Sequence, residues 1–98
     1  MSLETAARII EPVRAAAFEC GYAIAIHGTL DRDIDLIAIP WIEVTASVEV
    51  LLAKVCRAAR GRADIQGWRQ RPHGRLVRII NLEQGEYIDF SITPKVQK

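Results

Sequence analysis

Cysteine is scarce in this chain, and its scarcity excludes two architectures at once. Cys20 and Cys56 are the only two, too few for a disulfide scaffold, and neither has the close cysteine neighbour of a structural zinc site. Both fall in segments that read as helix, where buried, reduced thiols are expected. No apolar run approaches the roughly 20 residues that a membrane-spanning helix needs. Excess charge of one sign is lacking as well: 13 Lys and Arg against 12 Asp and Glu leave a formal net charge of +1. A bulk electrostatic pull toward nucleic acid or a membrane surface is thereby excluded, and any such partner needs a local patch. The N-terminus has no basic segment leading into a signal-type apolar core, so a cytoplasmic location with no membrane partner is expected. Repeats, low-complexity segments and internal linkers are missing too.

What remains is an ordinary globular mix. Ninety-eight residues, half of them hydrophobic, make one domain spanning residues 1–98, with a real core and little room for a second module. Ser2 to Cys20 reads as a helix, with Ser2 as N-cap, Gly21 just past its end, and Leu3, Ala6, Ile10, Val13, Ala17 and Cys20 on one face. Pro12 has no amide donor and its ring crowds the preceding turn, so a kink or a break near Glu11 is expected. Tyr22 to His27 reads as a buried strand, Gly28 to Arg32 as a turn, and Asp33 to Pro40 as a second strand.

Thr45 to Arg60 has the apolar stripe of a second helix, capped by Thr45 or Ser47 and ended by Gly61. Ala63 to Trp68 is a weak strand, Arg69 to Gly74 a basic loop, and Arg75 to Leu82 a clear strand. Glu83 to Glu86 forms a hairpin turn into Tyr87 to Ile92, where alternation puts Tyr87, Asp89 and Ser91 on one face. The order is α-β-β-α-β-β-β. It predicts an α+β fold: a single mixed or antiparallel sheet covered on one face by two helices.

The chemistry concentrates in HGTLDRDIDLIAIPW, residues 27–41. Asp33 and Asp35 point the same way from an otherwise apolar strand, where neighbouring like charges are costly. A third acid, Asp89, sits in the equally apolar YIDFSI. Three strand-borne carboxylates on one face suit hard divalent cations and phosphoryl transfer. A solvent-facing strand edge with Arg32 as counter-ion is the plainer account of Asp33 and Asp35. For Asp89 the plainer account is a salt bridge to Arg78 or Arg75. Arg69, Arg71, His73 and Arg75 form the one basic cluster, either a phosphate-binding loop or a solvated one.

Taken in order, Ile26-His27-Gly28-Thr29, Asp33-Ile34-Asp35-Leu36 and Ile88-Asp89-Phe90 resemble the signature of the nucleotidyltransferase (polymerase β-like) superfamily. The match spans residues 22 to 92. It looks most like small stand-alone members encoded by tailed bacteriophages, which carry a similar RDIDLIA-x-PW run and a later PHGR. The resemblance implies a minimal nucleotidyltransferase fold and transfer of a nucleotidyl group from a nucleoside triphosphate to an unidentified hydroxyl acceptor, in bacterial host cytoplasm if the chain is phage-encoded.

It further implies that Asp33, Asp35 and Asp89 are catalytic and hold Mg²⁺ or Mn²⁺. Gly28 and Thr29, with Arg75 from the basic cluster, are then the expected nucleotide contacts. Only four residues separate Gly28 from Asp33, a shorter connection than active members use. That favours an alternative, a catalytically degenerate member that binds nucleotide, RNA or protein. A separate protein partner supplying the acceptor site also fits.

Overall fold

The computed structural model describes residues 2–28, 30 and 33–94. It is an α+β structure of two helices and a mixed six-stranded sheet. Helix α1 spans Leu3–Glu19, capped by the Ser2 hydroxyl, which accepts from the Thr5 amide. The break near Glu11, one of the two outcomes expected from Pro12, is corrected: α1 continues through Pro12 as one helix. Pro12 and Arg8, whose carbonyl loses its intrahelical donor, both lie on the exposed side, where water can take that bond. The inward face is Ala6, Ile10, Val13 and Ala17. Leu3, expected on it, is exposed.

Strands β1 (Tyr22–His27) and β2 (Ile34–Pro40) form an antiparallel pair, with His27 opposite Asp35. Asp33 precedes β2 instead of opening it. Helix α2 (Val48–Ala59) starts later than the sequence suggests. Ser47 is the cap that the sequence left open, its hydroxyl accepting from the Val50 amide. The left-handed residue that ends α2 is Arg60, not Gly61. Gly61 is needed for space: a Cβ there would sit 2.6 Å from the Ile80 side chain and 2.9 Å from the Asn81 carbonyl oxygen.

The weak strand expected over Ala63 to Trp68 is also corrected. Two short strands, β3 (Arg62–Ala63) and β4 (Arg69–Gln70), flank a turn. Gly67 has a positive φ there, and Asp64 turns its carboxylate to Arg78. A single 3₁₀ turn, Pro72–Gly74, leads to β5 (Leu76–Asn81), and a tight turn at Gly85 leads to β6 (Tyr87–Ile92). The sheet order is β1-β2-β6-β5-β3, with β4 also on β5. Every pair is antiparallel except β2–β6.

Strand alternation sorts the side chains. Ile34, Leu36 and Ala38 of β2, with Ile88, Phe90 and Ile92 of β6, join the buried faces of both helices in one core. Fully burying such side chains contributes about 1.5–3 kcal/mol each. The intervening residues, Asp35 and Ile37 on β2 and Tyr87 and Asp89 on β6, are half-buried or exposed. Gly61→Ala is expected to lower stability by about 1–3 kcal/mol, the usual cost of overpacking. Urea denaturation checks it; an unchanged midpoint would mean that β5 yields easily.

Candidate functional site

The parallel β2–β6 ladder assembles the site. Asp35 stands directly opposite Asp89, in the same register as Ile34 opposite Ile88 and Leu36 opposite Phe90. Since the flanking pairs are buried in the core, both carboxylates emerge on the other face of the sheet, side by side. His27 joins them as the antiparallel partner of Asp35 on β1. A hollow of about 130 Å³ is lined by His27, Asp35, Ile37, Arg75, Asp89 and Ser91.

The electrostatics are those of crowded acids. Desolvation pushes the Asp35 carboxyl above its ordinary range, and the negative charges of Asp33 and Asp89 push it further, against a smaller lowering by His27. Tyr87 is drawn into the same field. Hydrogen bonding with the Asp33 carboxylate, and then that group's charge, raise its phenol. Among the described residues, none of the three aspartates forms an ion pair.

The salt bridge weighed for Asp89 from Arg78 is not made. Arg78 belongs to the other face, where its Nε donates to Asp64 Oδ1 at 3.1 Å and its Nη2 to the Asp64 carbonyl at 2.7 Å. Its guanidinium also lies 5.7 Å from the Trp68 ring. Arg75 does line the acidic hollow, yet among the described residues it forms no ion pair. Its Nε is buried and has no hydrogen-bond partner, an arrangement that ordinarily costs stability unless a ligand completes it.

Gly28 is held against the site. Its φ is +81°, and a Cβ there would lie 3.1 Å from Asp35 Oδ2. Both the backbone conformation and the close approach to the carboxylate call for glycine. Thr29, expected beside it at the phosphates, and Arg32, the suggested counter-ion, lie outside the described residues. Arg69, Arg71 and His73 are exposed, so of the basic cluster Arg75 alone lines this hollow. His27, Ser91 and Tyr87 were not among the site residues expected from the sequence. The two-residue alternation of YIDFSI was the signal that could have added Ser91 and Tyr87.

Carboxylate oxygens side by side on a rigid ladder fit a hard divalent cation. Among the described residues no three His, Cys, Asp or Glu side chains are gathered closely enough to hold an ion by themselves. Mg²⁺ does not require that, since it is commonly held by one or two carboxylates, retained waters and substrate phosphates. The residues therefore suit such an ion chiefly as Asp35 and Asp89, with Asp33 adjoining. Compared with protein-family models and with curated proteins, the chain matches none.

The crowding has a pH signature. Because the Asp35 carboxyl holds its proton more tightly in the fold than in the unfolded chain, the native state binds more protons over the window between the two values. Stability then falls as pH rises from about 4, the ordinary Asp value, through the raised one. Asp35→Asn, measured without metal, is expected to melt at or above the wild-type temperature at neutral pH, with the gap closing below pH 4. A variant less stable than wild type at neutral pH would show the charge to be favourable.

Proposed function

We propose that the chain is a minimal nucleotidyltransferase-fold protein that moves a nucleotidyl group from a nucleoside triphosphate to a hydroxyl acceptor. One observation carries this reading. Two carboxylates stand in register on adjacent strands, and a guanidinium whose buried Nε has no hydrogen-bond partner among the described residues lines the same hollow. A cation together with a phosphate would satisfy both halves of that arrangement; neither alone would. In the finer form of the proposal, the two helices cover one sheet face in the order α-β-β-α-β-β-β, with β3 and β4 as pieces of one strand.

Asp35 and Asp89, with Asp33, would hold Mg²⁺ or Mn²⁺. Such an ion supplies positive charge for the transferring phosphoryl group. Arg75 binds the phosphate oxygens through charge-assisted hydrogen bonds, for which a guanidinium is well shaped. Gly28 lets the chain pass close to Asp35 and keeps that carboxylate turned toward the site. Asp89 would take the proton of the acceptor hydroxyl. The acceptor site itself would come from a partner protein.

A second reading keeps the pocket and drops the turnover: a degenerate member that binds nucleotide, RNA or protein. The four-residue connection from Gly28 to Asp33 favours it, because it leaves few backbone amides to surround a triphosphate.

Calorimetry with a non-hydrolysable triphosphate and Mg²⁺ tests the shared part. Mg²⁺ or Mn²⁺ is expected to raise the wild-type melting temperature by mass action, and Asp35→Asn or Asp89→Asn to abolish that rise. Arg75→Ala should weaken triphosphate binding by about 1–3 kcal/mol, the scale of a lost hydrogen bond to a charged group. Arg69→Ala should change it little. Wild type that binds neither metal nor triphosphate would end both the enzyme and the nucleotide-binding readings. Pyrophosphate release from a natural triphosphate, present or absent, separates them.

A further inference from the structure

The two edges of the sheet are built differently. At one edge β3 and β4 are two residues long and carry Arg62 and Arg69, and short, charged strands of this kind resist pairing with another chain. At the other edge lies β1, six residues with no charge from Tyr22 to Ile26, no proline, and a register with β2 unbroken from Tyr22 to His27. No described strand pairs its outer side.

The backbone groups on that outer side can be assigned. The Trp41 amide donates to the Gly21 carbonyl at 3.1 Å, continuing the β1–β2 ladder. Alternation along an antiparallel pair then turns the groups of Ala23, Ala25 and His27 toward β2. In agreement, the Ala38 carbonyl, opposite Ile24, accepts instead from Thr93 at 3.0 Å. The amides and carbonyls of Tyr22, Ile24 and Ile26 therefore face outward, and none of the described backbone groups is bonded to them.

We infer that β1 is a self-association edge: two copies of the chain pair antiparallel through β1 about a two-fold axis at Ile24, joining their sheets into one. The sequence is self-complementary in that register. Tyr22 faces Ile26 of the second copy, Ala23 faces its Ala25, and no charge of β1 meets a like charge. Ile26, 45% exposed although it sits on the core side of the sheet, is the apolar side chain of β1 left to be covered by the second copy, since Tyr22 and Ile24 are already buried in their own core. The Arg-bearing opposite edge disfavours head-to-tail stacking, so the pairing closes at two copies. None of this depends on the nucleotidyltransferase reading.

Light scattering on the full chain, through the micromolar range, tests the inference. Wild type is expected at twice the 11.0 kDa chain mass, dissociating on dilution. Ile26→Lys and Ile26→Pro alter an outward-facing, half-exposed position, and proline there removes an amide that β2 does not use. Both should weaken association by at least an order of magnitude while keeping the wild-type circular dichroism. Amide exchange needs no variant: the Tyr22, Ile24 and Ile26 amides of wild type should become protected as concentration rises. A wild type that stays monomeric overturns the inference. So does a dimer in which those three amides exchange at the same rate at every concentration.

Discussion

The parallel ladder between β2 and β6 is the constraint on which the rest of this structure depends. It brings together segments from the two halves of the chain, and its register does two things at once. On one side it stacks Ile34 on Ile88, Leu36 on Phe90 and Ala38 on Ile92 in the core. On the other it sets Asp35 against Asp89. Because side chains alternate with a period of two, a slip of one residue would drive carboxylates into the core and expose the apolar set. Each large core side chain is worth about 1.5–3 kcal/mol in burial, so the hydrophobic register holds the two acids together against their repulsion.

The same alternation explains why opposite charges on this face do not neutralise one another. Arg78, on the strand beside that of Asp89, shares the face of the core residue Phe90 through its register in β5, and Asp64 occupies it there. Arg75, just before β5, is on the acidic side and has a buried Nε with no partner. Among the described residues, acid and base thus line one hollow without forming an ion pair. On the nucleotidyltransferase reading the site receives both a cation and an anion, and an internal ion pair would have to be broken before either could bind.

Much of this was legible in the sequence because it rests on local periodicity. The bounds of β1 and β6 follow from apolar runs closed by glycine and proline, and the facing of Asp89 follows from the alternation in YIDFSI. What was illegible depended on tertiary surroundings. Pro12 was expected to interrupt α1, but nothing in the sequence says which side of the helix will be wet. Gly61 reads as a cap glycine, although Arg60 takes the left-handed conformation and Gly61 answers to the crowding by Ile80. The division of residues 62–70 into β3 and β4 follows from Asp64 pairing with Arg78 across the sheet, a partner that single-strand patterns cannot reveal. The parallel sense of β2–β6 was likewise hidden, since neither strand pattern carries direction.

The hairpin between β1 and β2 then decides how the charges of the site are shared out. With His27 opposite Asp35, the chain must reverse between Gly28 and Asp33, and four intervening residues leave no length for a helix whose N-terminal amides could gather phosphates. On the nucleotidyltransferase reading, anion binding on this face therefore falls to a side chain. Among the residues lining the hollow, Arg75 carries the one permanent positive charge. It reaches the hollow from the turn at Pro72–Gly74, where His73 and Gly74 both take positive φ. On the nucleotidyltransferase reading, a strained turn on one side of the sheet does work that a glycine-rich loop would otherwise do on the other, and the short hairpin becomes compatible with a phosphate-binding site.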